Sequence, residues 1–331
     1  MKDGLTNGSA AGAVRPVSVV EAAGVLLRGG VVAFPTETVY GLGAIARDDA
    51  AVQRVFAIKG RPPSHPVIVH VADPGALARF AAEVPEAAHR LADRFWPGPL
   101  TLVLRRRAGV SALITGGQDT VAVRIPHHPV ALSLIETCGE ALVGPSANRF
   151  GHVSPTTPDH VFQEFGDTVP VVDGGPCQVG IESTIIDLSG PRARLLRPGI
   201  IDARAVEEVL GEALAGPAED APRVPGSLVA HYAPHTPLCL WAADGLAAEA
   251  RRRLARGEKV AILATDRVAV PPQCLGYRLP RERDAVARQL YGALRQLDES
   301  GCDVILAEAP PGAAEWSGIR DRLRRASARA R

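Results

Sequence analysis

The chain has 331 residues, which is about twice the usual size of a domain, so we expect two ordinary domains rather than one large one. Its 37 basic and 36 acidic residues leave a formal net charge of +1, which excludes a global field that would attract nucleic acid or an anionic membrane. No apolar stretch reaches the ~20 residues of a membrane span, and the five cysteines form no CxxC pair, which argues against a disulfide framework or structural zinc. We interpret the polar residues 1–16 as a flexible tail on a cytoplasmic protein.

The first part of the chain alternates predicted helices and strands. Ser18 and Glu21 form a capping box that starts a short helix, and a buried strand follows at residues 31–34. Pro129 starts a later helix and Gly139 ends it. Helices between strands predict a covered α/β sheet. The other predictions are helices at 52–58, after Asp73-Pro74 and after Thr157-Pro158, and strands at 67–71, 100–104, 121–125, 141–143, 183–188 and 194–197.

The composition changes between Gly211 and Pro237, where proline, alanine and glycine are too frequent for a regular helix or strand. We interpret this stretch as a linker or functional loop. Beyond it, apolar β runs at 260–264 and 304–307 fit a small Rossmann-like unit. The predicted parts are the tail at 1–16, a first domain at 17–211, a linker at 212–237 and a second domain at 238–331, with helices at 246–256, 284–297 and 320–330.

A hydroxyl-rich turn and two glycines follow the opening strand. Gly41, Gly43 and Ala46 satisfy the GxGxxG/A pattern of a dinucleotide fingerprint, but the first glycine does not follow the strand directly and the later stretch is basic. This context disfavours an NAD site, and the sequence has no P-loop motif. Residues 36–38 (Thr-Glu-Thr) form either a solvated turn or part of a ligand pocket. The glycines would let the backbone pass close to a ligand.

Two cationic side chains follow in an extended, proline-restricted loop. Lys59 and Arg61 can face one pocket, where a compact ammonium and a planar guanidinium suit a phosphate chain. Solvated surface charge is the alternative, although lysine occurs only at positions 2, 59 and 259. Further on, Thr120 and Arg124 lie on one side of a predicted strand. Arg124 needs an anionic partner if it is buried, or else it is a surface residue of an edge strand.

Hydroxyl groups mark the ends of further predicted strands. The turns at 144–148 and 154–157 could bind phosphate or ribose, or could satisfy only their own backbone. Residues 180–184 (GIEST) open one strand, and residues 196–199 (LRPG) close another. Five segments thus place Ser, Thr, Lys, Arg or His at strand ends, where open α/β sheets bind ligands. We therefore predict that they share one small-molecule site.

Seven motifs across residues 31–199 carry a family resemblance: PTETVYGLGA, KGRPxxHPVIVHV, FWPGPLTLVL, TVAVRIP, GPSANRFGxVSPT, IESTIIDL and LRPG. In this order they resemble the YrdC-like family of L-threonylcarbamoyl-AMP synthases. The linker and the following residues resemble the long, two-domain form, although residues 238–331 match only loosely. The resemblance implies a YrdC-like twisted open α/β sheet, then the linker, then a small Rossmann-like α/β domain.

The resemblance also implies a reaction. L-threonine, bicarbonate and ATP would give threonylcarbamoyl-AMP and pyrophosphate, with Mg²⁺ accompanying ATP, no direct protein ligand to the metal and no tightly bound organic cofactor. The product would pass to a separate complex that transfers the threonylcarbamoyl group to tRNA, so direct tRNA binding by this chain would be weak or absent. Two alternatives stay open: a YrdC-like RNA-binding module, and an enzyme that makes carbamoyl-AMP from carbamoyl phosphate.

Site residues follow from the resemblance by motif position. The residues implied for L-threonine are Thr38, His70, Arg124, Ser183 and the backbone at Gly144. The residues implied for ATP are Lys59, Arg61, His65, Thr120, Ser146, Ser154, Arg197 and Tyr232. Position 65 is asparagine in some members, so the contact of His65 is the least defined. We also hypothesise that the linker segment around His231 and Tyr232 folds over the site, because a labile carbamate needs shielding from water.

Overall fold

The structure is a computed structural model that describes residues 16–328. The predicted tail at 1–16 lies outside this range except for Pro16, and so does the end of the helix predicted at 320–330. Within the range, two separate sheets form two α/β units, as the sequence predicts. The exact domain boundaries stay a prediction.

The first sheet has eight strands: β1 (Val32–Phe34), β2 (Gly41–Ile45), β3 (Ile68–His70), β4 (Leu100–Arg105), β5 (Thr120–Arg124), β6 (Leu142–Val143), β7 (Thr184–Asp187) and β8 (Arg194–Arg197). Their order is β1-β2-β6-β3-β5-β4-β7-β8. The β3/β5 and β4/β7 pairs are parallel, and the other neighbours are antiparallel. The sheet is therefore mixed, and ligand groups do not all come from one edge of parallel strands.

The helices of the first unit are α1 (Val19–Leu27), α2 (Asp49–Lys59), α3 (Leu77–Phe80), α4 (Glu86–Phe95), α5 (Ala112–Thr115), α6 (Pro129–Cys138), α7 (Pro158–Phe165) and α8 (Ala203–Leu210). The predicted capping box starts α1: the Ser18 hydroxyl accepts the Glu21 N–H, and the Glu21 carboxylate accepts the Ser18 N–H at 2.8 Å. Pro129 and Gly139 bound α6 as predicted. No local signal in the sequence predicts α4 or α8, which pack against each other.

The glycine-rich stretch after β1 forms strand β2, which no local sequence signal predicts either. A Cβ atom at Gly43 would lie 2.9 Å from the Phe34 ring, so this glycine allows β1 and β2 to pack and does not serve a ligand. Gly41 has the same neighbour at 3.0 Å and does line the cavity described below. The interpretation of the two glycines as a ligand passage is therefore wrong for Gly43.

Strand β5 lies in the middle of the sheet. The alternative that Arg124 is a surface residue of an edge strand is therefore wrong. Side chains alternate along it. Val121 and Val123 enter the main apolar core. Ala122 belongs to a small apolar cluster on the other face, which includes Val224 of the linker. Arg124 therefore lies on the face that the linker covers.

The second unit contains β9 (Leu238–Trp241), α9 (Ala243–Leu254), β10 (Val260–Ala264), β11 (Leu275–Arg278), α10 (Arg283–Asp298), β12 (Val304–Glu308) and α11 (Ser317–Ser327). Its sheet has the order β11-β10-β12-β9, and all neighbours are parallel. This confirms the small Rossmann-like domain. Within residues 16–328 the structure contains no helix with the length and apolar character of a bilayer span.

Candidate active site

A cavity lies on the sheet face that the linker covers. Its empty space, counted together with the open solvent at its mouth, is about 540 Å³. The turns after β1 and β6 and the linker segment 225–232 contribute to its walls. The structure brings together nine of the thirteen predicted site residues in its lining: Thr38, Arg61, His70, Arg124, Gly144, Ser146, Ser183, Arg197 and Tyr232.

Two more predicted residues contact the lining from behind. Lys59 Nζ donates to the carbonyl oxygens of Ser146 and Asn148, both at 2.5 Å. Burial lowers the pKa of Lys59 well below its ordinary value. Ser154 Oγ donates to Glu182 Oε1 at 2.6 Å, and Glu182 lines the cavity. Both residues thus hold groups of the cavity wall in place.

The last two predicted residues lie farther away. The His65 ring packs edge-on against Phe150, with ring centroids 5.4 Å apart. Thr120 is the first residue of β5 and is partly exposed, four residues or ~13 Å along the strand from Arg124. The structure does not bring either side chain into the cavity lining, and their contacts with ATP stay predictions.

Arg124 is the centre of one buried cluster. Its Nη2 atom forms an ion pair with Glu37 Oε1 at 2.6 Å, and both side chains are buried. Its Nη1 donates to Thr38 Oγ1 at 2.9 Å, and its Nε donates to the Gly98 carbonyl at 3.1 Å. Thr36 Oγ1 lies 2.8 Å from Thr38 Oγ1 and holds that hydroxyl in position. The residues at 36–38 are therefore buried, and their interpretation as a solvated turn is wrong.

His70 forms the neighbouring wall. Burial, with a smaller contribution from Arg124, lowers the pKa of His70 to about 3, so its imidazole is neutral near pH 7. A Cβ atom at Gly144 would lie 2.8 Å from this ring, which explains why a glycine is needed there. Among the described residues, no group hydrogen-bonds His70 Nδ1. A neutral ring can offer one acceptor nitrogen to a ligand.

Because the pKa of His70 is lowered to about 3, we expect its imidazole signal to stay flat between about pH 4.5 and about pH 8. An ordinary histidine, with a pKa of about 6.5, would titrate within this range. The measurement is an NMR titration of the ring protons, with His70→Asn to assign the signal. A His70 midpoint near the ordinary value would contradict the buried, neutral ring.

Ser183 and Arg197 form the opposite wall. Ser183 Oγ lies 2.7 Å from Thr101 Oγ1. Arg197 donates through Nε and Nη2 to the Ser183 carbonyl at 3.1 and 2.9 Å, and through Nη2 to Ser183 Oγ at 3.1 Å. Its Nη1 donates to the Pro225 carbonyl of the linker at 2.9 Å. Arg197 therefore joins the cavity wall to its cover.

Arg61 extends the cavity in the direction of Phe150. Its Nη2 donates to the Pro66 carbonyl at 2.7 Å, and its Cζ lies 5.5 Å from the Phe150 ring centroid. Burial lowers the pKa of Arg61 to about 10, which still leaves it charged near pH 7. Its buried Nε has no hydrogen-bond partner among the described residues. A buried donor of this kind suits an anionic ligand.

The prediction of site residues misses several groups. Thr36 and Glu37 stand in the first quoted motif, and Glu182 stands beside Ser183, so proximity in sequence could have identified all three. Arg322 contacts Glu182 from the second unit and has no sequence signal, because it lies in an arginine-rich helix far along the chain.

Comparisons with known proteins identify the family of the chain. A family model described as "Telomere recombination", covering Sua5, YciO and YrdC, matches residues 24–199. A model described as "Threonylcarbamoyl-AMP synthase, C-terminal domain" matches residues 201–328. The threonylcarbamoyl-AMP synthase of Pyrococcus abyssi is 42% identical over 320 residues, covering 92% of this chain and 93% of the relative. That of Bacillus subtilis is 39% identical over 323 residues, covering 93% and 92%.

Solved structures give the same result. The crystal structure of P. abyssi Sua5 complexed with L-threonine has a TM-score of 0.88 and 40% identity, and it covers 94% of each chain. E. coli YciO, at a TM-score of 0.50 and 24% identity over 57% of this chain and 92% of its own, is similar in fold alone. The chain therefore belongs to the Sua5, YciO and YrdC family, in the two-domain form that carries the C-terminal domain of threonylcarbamoyl-AMP synthases.

Proposed function

We propose that this chain joins L-threonine, bicarbonate and ATP into threonylcarbamoyl-AMP and releases pyrophosphate. The observation that carries the proposal is one cavity in which three buried arginines, Arg61, Arg124 and Arg197, meet under the linker. An amino-acid carboxylate and a triphosphate are both anions that arginine binds well. The names of the relatives support this activity, and the L-threonine complex of P. abyssi Sua5 supports threonine as a substrate.

The threonine end of the cavity would be the Arg124 cluster. Its Nε and Nη1 atoms each donate one hydrogen bond, and its Nη2 atom, ion-paired with Glu37, has no hydrogen-bond partner among the described residues, so N–H groups remain for a carboxylate. Ser183 and the backbone at Gly144 lie on the same lining and could contact the remaining polar groups of the amino acid. We therefore assign threonine to Thr38, His70, Arg124, Gly144 and Ser183.

The amine of threonine must lose a proton before it can attack CO₂ or bicarbonate. Nearby positive charge lowers the pKa of an amine, and the cavity supplies such charge from Arg124 and Arg197. The neutral His70 ring could accept a hydrogen bond that orients the amine, whereas a charged ring could not. The arginine charge is the part of the site that favours the neutral amine that the reaction needs.

The ATP end would extend from Arg197 to Arg61. We assign the phosphates to these two arginines with Lys59 and Ser146, and the other predicted contacts to His65, Thr120, Ser154 and Tyr232. Mg²⁺ would enter with ATP as part of the substrate and neutralise phosphate charge. Glu182 of the lining and Glu37, which precedes Thr38, are already paired with arginines, so the ion would be held by phosphate oxygens.

The proposed steps balance without a covalent enzyme intermediate. The threonine nitrogen forms a bond to the carbon of bicarbonate, and water leaves. A carbamate oxygen then attacks the α-phosphorus of ATP, and the bond from that phosphorus to the pyrophosphate oxygen breaks. Fixed arginine charges reduce the repulsion between carbamate and triphosphate and stabilise the leaving pyrophosphate, and the fixed contacts supply proximity.

The linker segment around His231 and Tyr232 would act as a lid. Both side chains are buried, and both line the cavity. The Tyr232 hydroxyl has no hydrogen-bond partner among the described residues. Such a lid would keep water from the carbamate.

We expect Tyr232→Ala to lower threonine-dependent pyrophosphate release by about 100-fold, because a displaced lid costs both shielding and alignment. Tyr232→Phe is the matched control: it keeps the ring and removes only the hydroxyl. The measurement is kcat and KM for ATP, with the yield of intact threonylcarbamoyl-AMP. Wild-type values in Tyr232→Ala would rule out the lid.

The proposed activity is tested by incubating the chain with ATP, Mg²⁺, bicarbonate and one amino acid at a time, and by following pyrophosphate. We expect stimulation by L-threonine alone. Equal stimulation by serine would support the type of reaction but not L-threonine as its specific substrate. Turnover with carbamoyl phosphate instead of an amino acid would favour the carbamoyl-adenylating alternative. A salt-dependent shift of RNA without ATP turnover would favour an RNA-binding module, which the net charge of +1 does not support.

Transfer of the product to a tRNA-modifying complex and a cytoplasmic location are further parts of the proposal. The transfer is what the family resemblance implies, and it suits a labile product that must be consumed soon after it forms; the location is an expectation from the sequence. Reconstituted transfer to tRNA with that complex, and fractionation of cells, would test them separately.

A further inference from the structure

One helix of the second unit reaches the wall of the cavity. Arg322, in the middle of α11, has 1% of its surface exposed. Its Nε donates to Glu182 Oε2 at 2.7 Å, its Nη2 to the Glu182 carbonyl at 3.1 Å and its Nη1 to the Pro198 carbonyl at 2.8 Å. Its hydrogen bond to Asp321, at 3.2 Å, stays within its own unit. Arg322 is therefore aimed at the first unit.

Glu182 collects contacts from three parts of the chain. Besides Arg322, it accepts from Ser154 Oγ at 2.6 Å and from the Tyr291 hydroxyl of α10 at 2.9 Å. Burial alone would raise the pKa of Glu182, but Arg322, Arg197 and the Ser154 hydroxyl lower it to about 2. The carboxylate is thus charged near pH 7, and its direct neighbour in the chain, Ser183, lies on the cavity wall.

Arg322 also supports the lid. Its Cζ lies 5.2 Å from the centroid of the Tyr232 ring, and Tyr291 stacks on the same ring at 5.9 Å. Tyr232 has a φ of 59°, and within residues 16–328 it is the one residue other than glycine with a positive φ. Such a backbone persists only where its surroundings hold it. Arg322 and Tyr291 supply that support.

The same helix holds the linker backbone just before Tyr232. Arg325 Nη1 donates to the Leu228 carbonyl, and the His231 N–H donates to the Arg325 carbonyl at 3.3 Å. Asp321 accepts from Arg325 Nε at 3.0 Å and keeps that side chain in place. α11 therefore touches both the floor of the cavity, through Glu182, and its cover.

We propose that Arg322 is a positioning residue of the active site, through which the second domain fixes Glu182 beneath the cavity and the Tyr232 lid above it. The inference rests on the proposed function and assigns the C-terminal domain a part in it. A buried ion pair is a poor way to hold two domains together by energy alone, since apolar side chains of similar volume often do as well. The Arg322–Glu182 pair is better explained by the need to hold the groups around the cavity in a fixed geometry.

The test compares Arg322→Met, Arg322→Lys and the double variant Glu182→Gln/Arg322→Met with Arg324→Met. Arg324 lies on the same helix and pairs with Asp321 at 3.0 Å, but 73% of its side chain is exposed, which makes it a matched control. Each variant is measured for Tm, for kcat and KM of ATP and threonine, and for protease cleavage in the linker. The double variant removes both charges, so it avoids an unpaired buried carboxylate.

We expect Arg322→Met to lower kcat/KM for ATP by about 100-fold, as a small misplacement of reacting groups does, and to speed cleavage within residues 218–232. The double variant should recover Tm and remain inactive, and Arg324→Met should match the wild type. If Arg322→Met does not fold, the activities of the double variant and of Arg322→Lys decide between a positioning role and a structural role only. Recovery of both Tm and activity in the double variant, or full activity in Arg322→Met, would show a structural role only and overturn the proposal. A wild type that releases no threonine-dependent pyrophosphate would instead refute the proposed function.

Discussion

Replacing Arg124 by lysine is expected to lower kcat/KM for L-threonine by about 100-fold, equivalent to about 2.7 kcal/mol. Lysine keeps the positive charge next to Glu37 but loses the planar fork. A single ammonium group cannot contact Glu37, Thr38, Gly98 and a substrate carboxylate together, as the guanidinium can. The loss should appear mainly as weaker threonine binding, measured by calorimetry and by steady-state kinetics.

The choice of lysine separates catalysis from folding. Arg124→Met would leave the buried Glu37 carboxylate unpaired, at a cost of about 3–5 kcal/mol in unfolding free energy. Arg204→Lys is the matched control, since Arg204 pairs with Glu208 at 3.0 Å but is 84% exposed. It should behave as wild type. Unchanged threonine affinity in Arg124→Lys would move the carboxylate site away from this cluster.

Arg61→Met is expected to raise the KM for ATP, or to lower kcat/KM if saturation is not reached, by about 100-fold. Arg61 is buried and charged, and its Nε has no partner among the described residues, so a phosphate would supply the missing acceptor. Threonine binding in the absence of ATP should stay within about twofold of the wild type, because an interaction with phosphate contributes nothing there.

Arg94→Met controls for the loss of an arginine packed on an aromatic ring. Arg94 lies 5.3 Å above Phe95, much as Arg61 lies 5.5 Å from Phe150, but it is exposed on α4. We expect no change in ATP kinetics from Arg94→Met. A loss of threonine affinity equal to the loss of ATP affinity in Arg61→Met would mean that Arg61 shapes the whole cavity and does not bind phosphate.

Most of the fold could be predicted from the sequence where local signals are strong. The capping box at Ser18 and the proline and glycine at the ends of α6 were sufficient, because these features act within one or two turns of helix. Strand β2 was not predictable in this way. Glycines at these positions are typical of a loop. Their presence in a strand is explained by the Phe34 ring of the neighbouring strand, which leaves no room for a side chain.

The site shows the same division. Thr38, Arg124 and Ser183 stand in recognisable motifs, and the structure places them in one lining. Partners across long stretches of chain were not predictable: the pairing of Glu182 with Arg322 joins residues 140 positions apart. The buried state of Glu37 depends on tertiary packing, which residue order alone does not reveal.

The most direct test of the account is a crystal structure of the chain with L-threonine and a non-hydrolysable ATP analogue bound together. We predict threonine on Arg124 and the triphosphate along Arg61 and Arg197, in the same cavity, with the threonine nitrogen facing the α-phosphate and Tyr232 closed over both. Two ligands on separate faces of the molecule, or a nucleotide that leaves all three arginines without a contact, would contradict the account.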